Sequence, residues 1–366
     1  METEHGDALK SPRSQRIDES RVTMKDVAEA AGVSPSTVCR ALNSNPQIPK
    51  ATREKVQKVA DELGYQVDPL LSAFALRRRG KSNDSSITTI AYITNFGTRD
   101  EWTKNPFYQA CFEGVQNRVK RQGYRVEHFW LGEENMSPKR LSRILYNRGI
   151  LGVCVAPMKN VSELVDLEWE RFCGVTIGYS MQSPNLHRTA PHHFHGIQQM
   201  IQTLYAKGYR RIGLSIFSDT SRRVDELWLS GALLVQNRRI LMNEKKNDDV
   251  VLRTFLFNDE NLKEVPKWVR EENLEVVISD NDRIAQMLAQ ENIRVPGDVD
   301  FATLNWEVEK PQFAGINQRP GDIGAAAMDL LIGQIQRGEL GVPAVPLTTM
   351  VEGVWVDGPS LRKNGI

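Results

Sequence analysis

From residue 87 onward, short apolar runs alternate with segments in which apolar residues recur at helical spacing. The apolar runs predict buried strands at 87–96, 124–131, 150–155, 212–217, 250–257, 276–279 and 299–304. The periodic segments predict helices at 106–121, 138–147, 197–206, 221–236, 260–272 and 281–290. Repeated strand–helix units are typical of α/β folds, in which parallel sheets are covered by helices on both faces.

About nine or ten such units are too many for one open sheet, so we expect two lobes with a cleft between them. A late segment, 320–337, and a final strand, 347–356, are expected to cross back and complete both lobes.

The polar and apolar positions change their pattern before residue 80. Residues 22–43 predict two short helices around a tight turn. Thr23 and Asp26 have capping-box spacing for the first helix, Gly32 permits the turn, and Ser34 is suited to cap the second helix. The apolar positions of both helices lie on one side, which predicts a small helical core.

The second helix keeps a polar face outside that core. The face carries Pro35, Ser36, Thr37, Arg40 and Asn43, which are small residues and hydrogen-bonding residues around one arginine. Such a face suits contact with base edges and phosphates in a DNA major groove. A plain structural helical hairpin is the alternative, and the double capping and the three-residue turn favour DNA binding.

A third helix is predicted at 51–63, followed by a segment, 68–79, with apolar residues that have no evident core to enter. One interpretation is a linker helix packed on the next domain. The other is a hinge helix that DNA orders, with Leu71 or Phe74 wedged between base steps in the minor groove. The arginine run that begins at Arg77 would then contact phosphates.

Charge is distributed unevenly along the chain. The whole sequence of 366 residues has a net charge of only +1, so its overall balance does not indicate nucleic acid. Residues 21–81, however, carry 11 basic and 6 acidic side chains, whereas residues 82–366 carry 33 and 35. The positive charge therefore coincides with the predicted helices, as expected for a DNA-binding segment. Because this excess of positive charge is modest, it favours two such segments that bind DNA together.

The N-terminal helices carry a motif that resembles the headpiece of the lactose-repressor (LacI) family of bacterial transcription regulators. The matching residues are Val33-Ser34-Pro35-Ser36-Thr37-Val38-Cys39-Arg40-Ala41-Leu42-Asn43. Three positions depart from the family pattern: Cys39 replaces a serine, Phe74 replaces the minor-groove leucine, and Pro49 replaces a serine cap. The resemblance implies two sets of DNA contacts. Bases would be read by Pro35, Ser36 and Arg40, and phosphates would be held by Thr23, Ser34, Thr37 and Asn43.

The remaining chain resembles the type I periplasmic-binding-protein core that this family carries after its headpiece. Matching residues are Asn105-Pro106-Phe107-Tyr108, Gly208-Tyr209-Arg210-Arg211-Ile212, Asn281-Asp282, Val295-Pro296-Gly297-Asp298 and Gln318. In such cores a ligand lies between the lobes, at the carboxyl ends of the strands. The resemblance implies a cleft lined by polar groups of Asn281, Asp282, Asn305 and Gln318 and by the rings of Phe96, Phe107 and Trp228.

Two of these residues depart from the family's usual ligand site. Trp228 stands where many members have an arginine, and Asn305 stands where an aspartate is common. The cleft is therefore expected to have lost charge and gained an aromatic ring. An alternative for Trp228 is a purely structural residue packed in the core.

Other chemistry finds little support. His192, His193 and His195 form a histidine-rich segment, but no further ligand is evident near it in the sequence, so we expect no metal there. No glycine-rich phosphate loop, nucleophile elbow or pair of catalytic carboxylates is present, so we expect neither an enzyme nor a cofactor. The unpaired spacing of Cys39, Cys111, Cys154 and Cys173 favours reduced thiols, and with no signal-peptide core or long apolar run we expect a cytoplasmic protein without a membrane partner.

The sequence as a whole predicts a homodimeric, sequence-specific transcription regulator that acts as a repressor and binds a near-palindromic operator and a carbohydrate-like effector. The expected organisation is a disordered tail (1–20), a helix-turn-helix headpiece (21–66), a hinge helix and linker (67–86) and a two-lobed effector-binding and dimerisation core (87–366). Two alternatives stay open: a stand-alone small-molecule receptor or enzyme, and a DNA-binding regulator with a vestigial cleft.

Overall fold

The computed structural model describes residues 22–42, 48–65, 88–159, 164–242 and 251–362. The chain forms two compact units. Among these residues, the first unit contains three helices, and the second contains two six-stranded sheets with their helices.

The first unit consists of α1 (Met24–Ala31), α2 (Pro35–Leu42) and α3 (Lys50–Leu63). Gly32 ends α1 and Gly64 ends α3, both in the left-handed conformation that glycine adopts without strain. Small apolar side chains from all three helices form the core. They are Val27, Ala28, Ala31, Val38, Ala41, Val56 and Ala60.

Two sheets organise the second unit. The first sheet has the order β11-β5-β4-β3-β1-β2 with parallel pairing throughout, and the second has the order β12-β10-β9-β8-β6-β7, in which only β12 is antiparallel to its neighbour. The first sheet comprises β1 (Thr88–Thr94), β2 (Tyr124–Trp130), β3 (Gly152–Val155), β4 (Cys173–Ile177), β5 (His187–Pro191) and β11 (Thr348–Val351). The second comprises β6 (Arg211–Phe217), β7 (Val251–Phe257), β8 (Val276–Ser279), β9 (Asp300–Thr303), β10 (Ala314–Asn317) and β12 (Val354–Val356).

Helices cover these sheets and define two lobes. Those of the first lobe are α4 (Pro106–Arg121), α5 (Pro138–Asn147) and α11 (Pro320–Arg337). Those of the second lobe are α6 (His193–Ala206), α7 (Ser218–Arg223), α8 (Leu227–Met242), α9 (Val265–Glu271) and α10 (Arg283–Gln290). Each lobe buries apolar residues on both faces of its sheet, as parallel sheets require.

The chain passes between the lobes three times. The first crossing lies between β5 and α6 at His192, the second between β10 and α11 at Gln318, and the third between β11 and β12 at Glu352. The predicted two-lobed α/β architecture is confirmed, including the return of the last segments to both lobes.

Several predicted boundaries differ from the structure. The helix predicted at 221–236 is two helices, α7 and α8, because Asp225 and Glu226 adopt positive φ angles that interrupt helical geometry. The extended segment predicted at 347–356 is likewise divided, into β11 and β12, which join different sheets. The sequence analysis did not identify β4, β5 or β10, which are short and fully or almost fully buried.

Cys111, Cys154 and Cys173 are free and buried, which agrees with the expected reduced thiols. Burial raises the pKa of each of these thiols far above its ordinary value. In the part of the chain that the structure describes, no helix has the length and apolar character needed to cross a membrane.

Helices α4 and α11 approach each other so closely that glycine is needed at the contact. A Cβ atom added at Gly114 would overlap the carbonyl group of Gly321, and one at Gly324 would overlap the carbonyl group of Cys111. Backbone therefore packs directly on backbone, which fixes α4 relative to α11.

We expect Gly114→Ala to lower the free energy of unfolding by about 1–3 kcal/mol, because the added methyl group forces the two backbones apart. Gly321→Ala is the matched control, since its Cβ atom would lie 3.8 Å from its nearest neighbour, the carbonyl oxygen of Ala110. Urea unfolding of the whole protein measures both. Equal stability of the two variants would contradict the close contact.

Candidate nucleic-acid interface and interlobe cleft

Short side chains cap the first two helices of the N-terminal unit. The Thr23 backbone N–H donates to Asp26 Oδ2 over 2.7 Å, and the Asp26 N–H donates back to Thr23 Oγ1, which completes the predicted capping box. The Thr23 hydroxyl group also donates to Asp26 Oδ2 over 2.7 Å, and this bond, followed by the one from the Thr23 backbone N–H, lowers the pKa of Asp26. At the start of α2, Ser34 Oγ accepts the N–H of Thr37 over 3.2 Å.

The predicted polar face of α2 is directed to solvent. Ser34, Pro35, Ser36 and Arg40 are exposed, and Thr37 is half-buried. The hydroxyl groups of Ser34, Ser36 and Thr37 form a connected group, with Ser34 Oγ 2.8 Å from Ser36 Oγ and 2.9 Å from Thr37 Oγ1. Thr23 is exposed as well. The other predicted DNA contacts lie outside the described residues: Asn43, Leu71, Phe74 and Arg77.

A cavity of about 590 Å³ lies between the lobes of the second unit. Its walls come from the segments that follow the carboxyl ends of β1, β3, β4, β5, β6, β8, β9 and β10, together with the start of α4. This is the edge of parallel sheets where ligands bind in α/β proteins. The volume lies within the range of small-molecule sites.

All seven residues that the sequence analysis placed in the cleft line this cavity. They are Phe96, Phe107, Trp228, Asn281, Asp282, Asn305 and Gln318. Trp228 combines both interpretations: it is only 3% exposed and packs in the second-lobe core, and it also reaches the cavity wall.

Polar side chains of the second lobe are held in a chain of hydrogen bonds. Gln318 donates through Nε2 to Asn305 Oδ1 over 2.5 Å and to the carbonyl oxygen of Leu304 over 2.7 Å. Asn305 in turn donates to the carbonyl oxygen of Asp280 over 3.2 Å. Gln318 lies at the second crossing, so these hydrogen bonds hold that crossing segment against the cleft wall.

The carboxyl group of Asp280 belongs to a largely buried residue that also lines the cleft. Burial raises the pKa of its carboxyl group to about 6, against hydrogen bonds from Phe217 N–H and Thr220 that act in the opposite direction. The group therefore titrates close to neutral pH.

Arg223 corrects the expectation that the cleft has lost its charge. It is the last residue of α7, five positions before Trp228, and its side chain lines the cavity. Its guanidinium group donates to the hydroxyl group of Tyr108 from the first lobe and lies 5.9 Å from the centre of that ring. One side chain thus connects the two lobes across the cleft.

Three buried polar atoms in residues that line the cleft have neither a hydrogen-bond partner nor an ion-pair partner within the described part of the chain. They are Tyr179 Oη, His193 Nδ1 and Arg223 Nε. Burial lowers the pKa of His193 to about 3, so its ring is neutral, and it packs edge-on against Trp228 with ring centres 4.7 Å apart. Unpartnered buried polar atoms are costly and are normally satisfied by water or by a ligand.

The expectation of no metal near the histidine segment rested on the lack of a further ligand, and the structure supplies one. Glu352 from the third crossing lies beside His192 and His195, with Glu352 Oε2 2.8 Å from His195 Nδ1. The buried His193 faces the cleft instead. The sequence could not reveal this, because Glu352 is 157 positions from His195.

The sequence analysis also missed several residues of the cleft. Tyr108 and Asp280 stand next to the predicted Phe107 and Asn281, so adjacency could have indicated them. Tyr179 follows β4, a strand that was itself not identified, and therefore had no local indication.

Sequence and structure comparisons agree with this geometry. A profile described as "Bacterial regulatory proteins, lacI family" matches residues 23–68. The N-terminal unit is therefore similar to the DNA-binding segment of that family. The chain is 29% identical over 161 residues to the HTH-type transcriptional regulator MalR of Streptococcus pneumoniae, a match that covers 44% of this chain and 46% of MalR.

Two solved structures share the fold over 93% of this chain. The first is the CelR–cellobiose complex, with a TM-score of 0.53, 21% sequence identity and complete coverage of that chain. The second is the Lac repressor dimer bound to operator and the anti-inducer ONPF, with a TM-score of 0.54, 19% sequence identity and coverage of 99% of that chain. In sequence, the chain spans about half the length of the curated relatives it matches.

The recessed position of Asp280 predicts a pH-dependent stability difference. Because the pKa is raised in the folded protein, the folded state binds the proton more tightly, and wild type should lose stability relative to Asp280→Asn as the pH rises from 4 to 7. The expected change is on the order of 1–3 kcal/mol. Urea unfolding across this pH range measures it, and a pH-independent difference would contradict the assignment.

Proposed function

We propose that this protein is a sequence-specific DNA-binding transcription regulator, acting as a repressor, whose operator affinity is controlled by a small molecule in the interlobe cleft. The proposal rests on one combination: a LacI-family headpiece in the same chain as a cleft whose buried polar atoms lack partners. A regulator of this kind acts on chromosomal DNA in the cytoplasm.

The DNA-binding part of the proposal rests on α2. Its capped start and small apolar core leave Arg40 exposed on a face of hydroxyl-bearing residues. We assign base contacts to Pro35, Ser36 and Arg40 and phosphate contacts to Thr23, Ser34, Thr37 and Asn43. We assign minor-groove contacts to Leu71 and Phe74, and contacts with the adjacent phosphates to Arg77.

We further propose a homodimer, because one headpiece with a modest positive charge reads only one half-site, and two-fold symmetry matches a near-palindromic operator. Effector binding would shift the balance between open and closed lobes and change the order of the segment 68–79.

The chemistry of the cleft favours a neutral, hydroxyl-rich effector. Four basic and four acidic side chains line it, so no single sign of charge dominates. They are Lys104, Lys159, Arg223, Lys310, Glu101, Asp280, Asp282 and Glu307. Several of them already form ion pairs, such as Lys159 with Glu101 over 2.9 Å and Lys310 with Asp282 over 2.8 Å.

The partnerless atoms of Tyr179, His193 and Arg223 require both donors and acceptors, which hydroxyl groups provide. Aromatic rings in the same walls offer stacking surface. A carbohydrate or related polyol meets both conditions, and the solved CelR neighbour is a complex with cellobiose. Partnerless groups also disfavour a vestigial cleft, and the LacI-family headpiece disfavours a stand-alone receptor or an enzyme.

Removal of the Arg40 side chain tests base reading. We expect Arg40→Ala to weaken binding to a duplex selected by the wild-type protein by about 1–3 kcal/mol and to weaken binding to random DNA much less. Lys58→Ala, an exposed cation on α3, is the matched control. Fluorescence anisotropy measures each affinity. Equal losses on both duplexes would show that Arg40 contacts only phosphate.

The cleft is tested by Arg223. In a calorimetric screen of sugars and polyols, we expect at least one ligand to bind wild type and Arg223→Met to bind it at least about tenfold more weakly, since a charge-assisted hydrogen bond is lost. Arg222→Met is the control, because the Arg222 guanidinium group is exposed and paired with Asp219. Unchanged binding by Arg223→Met would remove Arg223 from the site.

A further inference from the structure

The first and third crossings between the lobes carry side chains that converge on one point. His192 immediately precedes α6, His195 lies in its first turn, and Glu352 lies between β11 and β12. One donor atom from each of these side chains lies within 4.8 Å of the others. We propose that His192, His195 and Glu352 form a binding site for a zinc-like divalent cation at the hinge of the two lobes.

The spacing of the donor atoms supports the proposal. His195 Nδ1 is 2.8 Å from Glu352 Oε2, and His192 Nε2 is 4.0 Å from Glu352 Oε1. Neighbouring ligands of a tetrahedral zinc ion, each about 2.0–2.1 Å from the metal, lie roughly 3.3 Å apart. The donor atoms of this cluster lie between 2.8 Å and at most 4.8 Å from one another, a range that includes this separation.

The donor set selects the class of metal. Two imidazole nitrogens and one carboxylate suit zinc and its neighbours in the first transition row, whereas calcium and magnesium prefer all-oxygen sites. His195 and Glu352 each expose 57% of their side chains, so solvent can complete the coordination.

The present role of the His192 ring sets a condition on binding. Its Nδ1 accepts the backbone N–H of His195 over 3.3 Å and so caps α6. When Nε2 binds a metal, the ring proton lies on Nδ1, which can then no longer accept a hydrogen bond. Metal binding through Nε2 therefore breaks this long capping contact.

The location gives the site a mechanical consequence. A metal held by residues of both crossings joins two of the three segments through which the lobes move relative to each other. Metal binding therefore restrains lobe movement independently of the cleft ligand.

The experiment uses untagged, full-length protein freed of metal with a chelator. We expect isothermal titration to show one zinc ion per chain, and His195→Ala and Glu352→Gln each to weaken binding by at least about tenfold. Glu309→Gln, another exposed carboxylate, is the matched control and should bind as wild type does. Because the altered side chains are exposed, the thermal midpoints without metal should be unchanged, and zinc should raise the midpoint only in wild type and the control.

Cobalt(II) provides an independent readout. Binding through nitrogen and oxygen gives visible d–d bands without a thiolate charge-transfer band, which separates this site from the cysteines. The proposal is overturned by a lack of zinc uptake at micromolar concentrations, by uptake that neither variant weakens, or by a thiolate band in the cobalt spectrum.

Discussion

The three crossings between the lobes are the constraint on which the core depends. Since each crossing leaves one parallel sheet and enters the other lobe, the segments after the strand ends must face one another across a single cleft. Any change in the separation of the lobes must therefore bend the chain at these crossings, which lie at His192, Gln318 and Glu352. The same residues are not mere connectors, because Gln318 is bonded into the cleft wall and the other two belong to the histidine–carboxylate cluster.

The cleft combines a rigid frame with unsatisfied polar groups. Arg188, itself buried, donates to the carbonyl oxygens of Gly178 and Met181 and so holds the loop that carries Tyr179. The Met158 N–H donates to Ser180 Oγ over 2.8 Å and ties this loop to the one after β3. A site built in this way is organised before its ligand arrives, which lowers the conformational cost of binding.

The headpiece achieves the same organisation with short side chains. Ser34 Oγ accepts the N–H of Thr37 and is hydrogen-bonded to the hydroxyl groups of Ser36 and Thr37. Two internal bonds use two of the three hydroxyl protons, so this group can both begin α2 and donate one proton to a phosphate in the proposed complex. The small core residues leave the opposite face of α2 exposed, as insertion into a groove requires.

The sequence alone determined the elements whose information is local. The bounds of α4 and α5 agree with their prediction, because helical periodicity coincides with start markers such as Asn105 and Ser137. Resemblance to a family also placed seven residues in the cleft. Tertiary structure alone decided which distant groups meet: Arg223 reaches Tyr108, 115 positions away, and Glu352 reaches the histidines. Periodicity in the sequence indicates which side of a helix or strand is buried. Contacts between distant loops depend instead on the order of the strands in each sheet, and no local sequence pattern encodes that order.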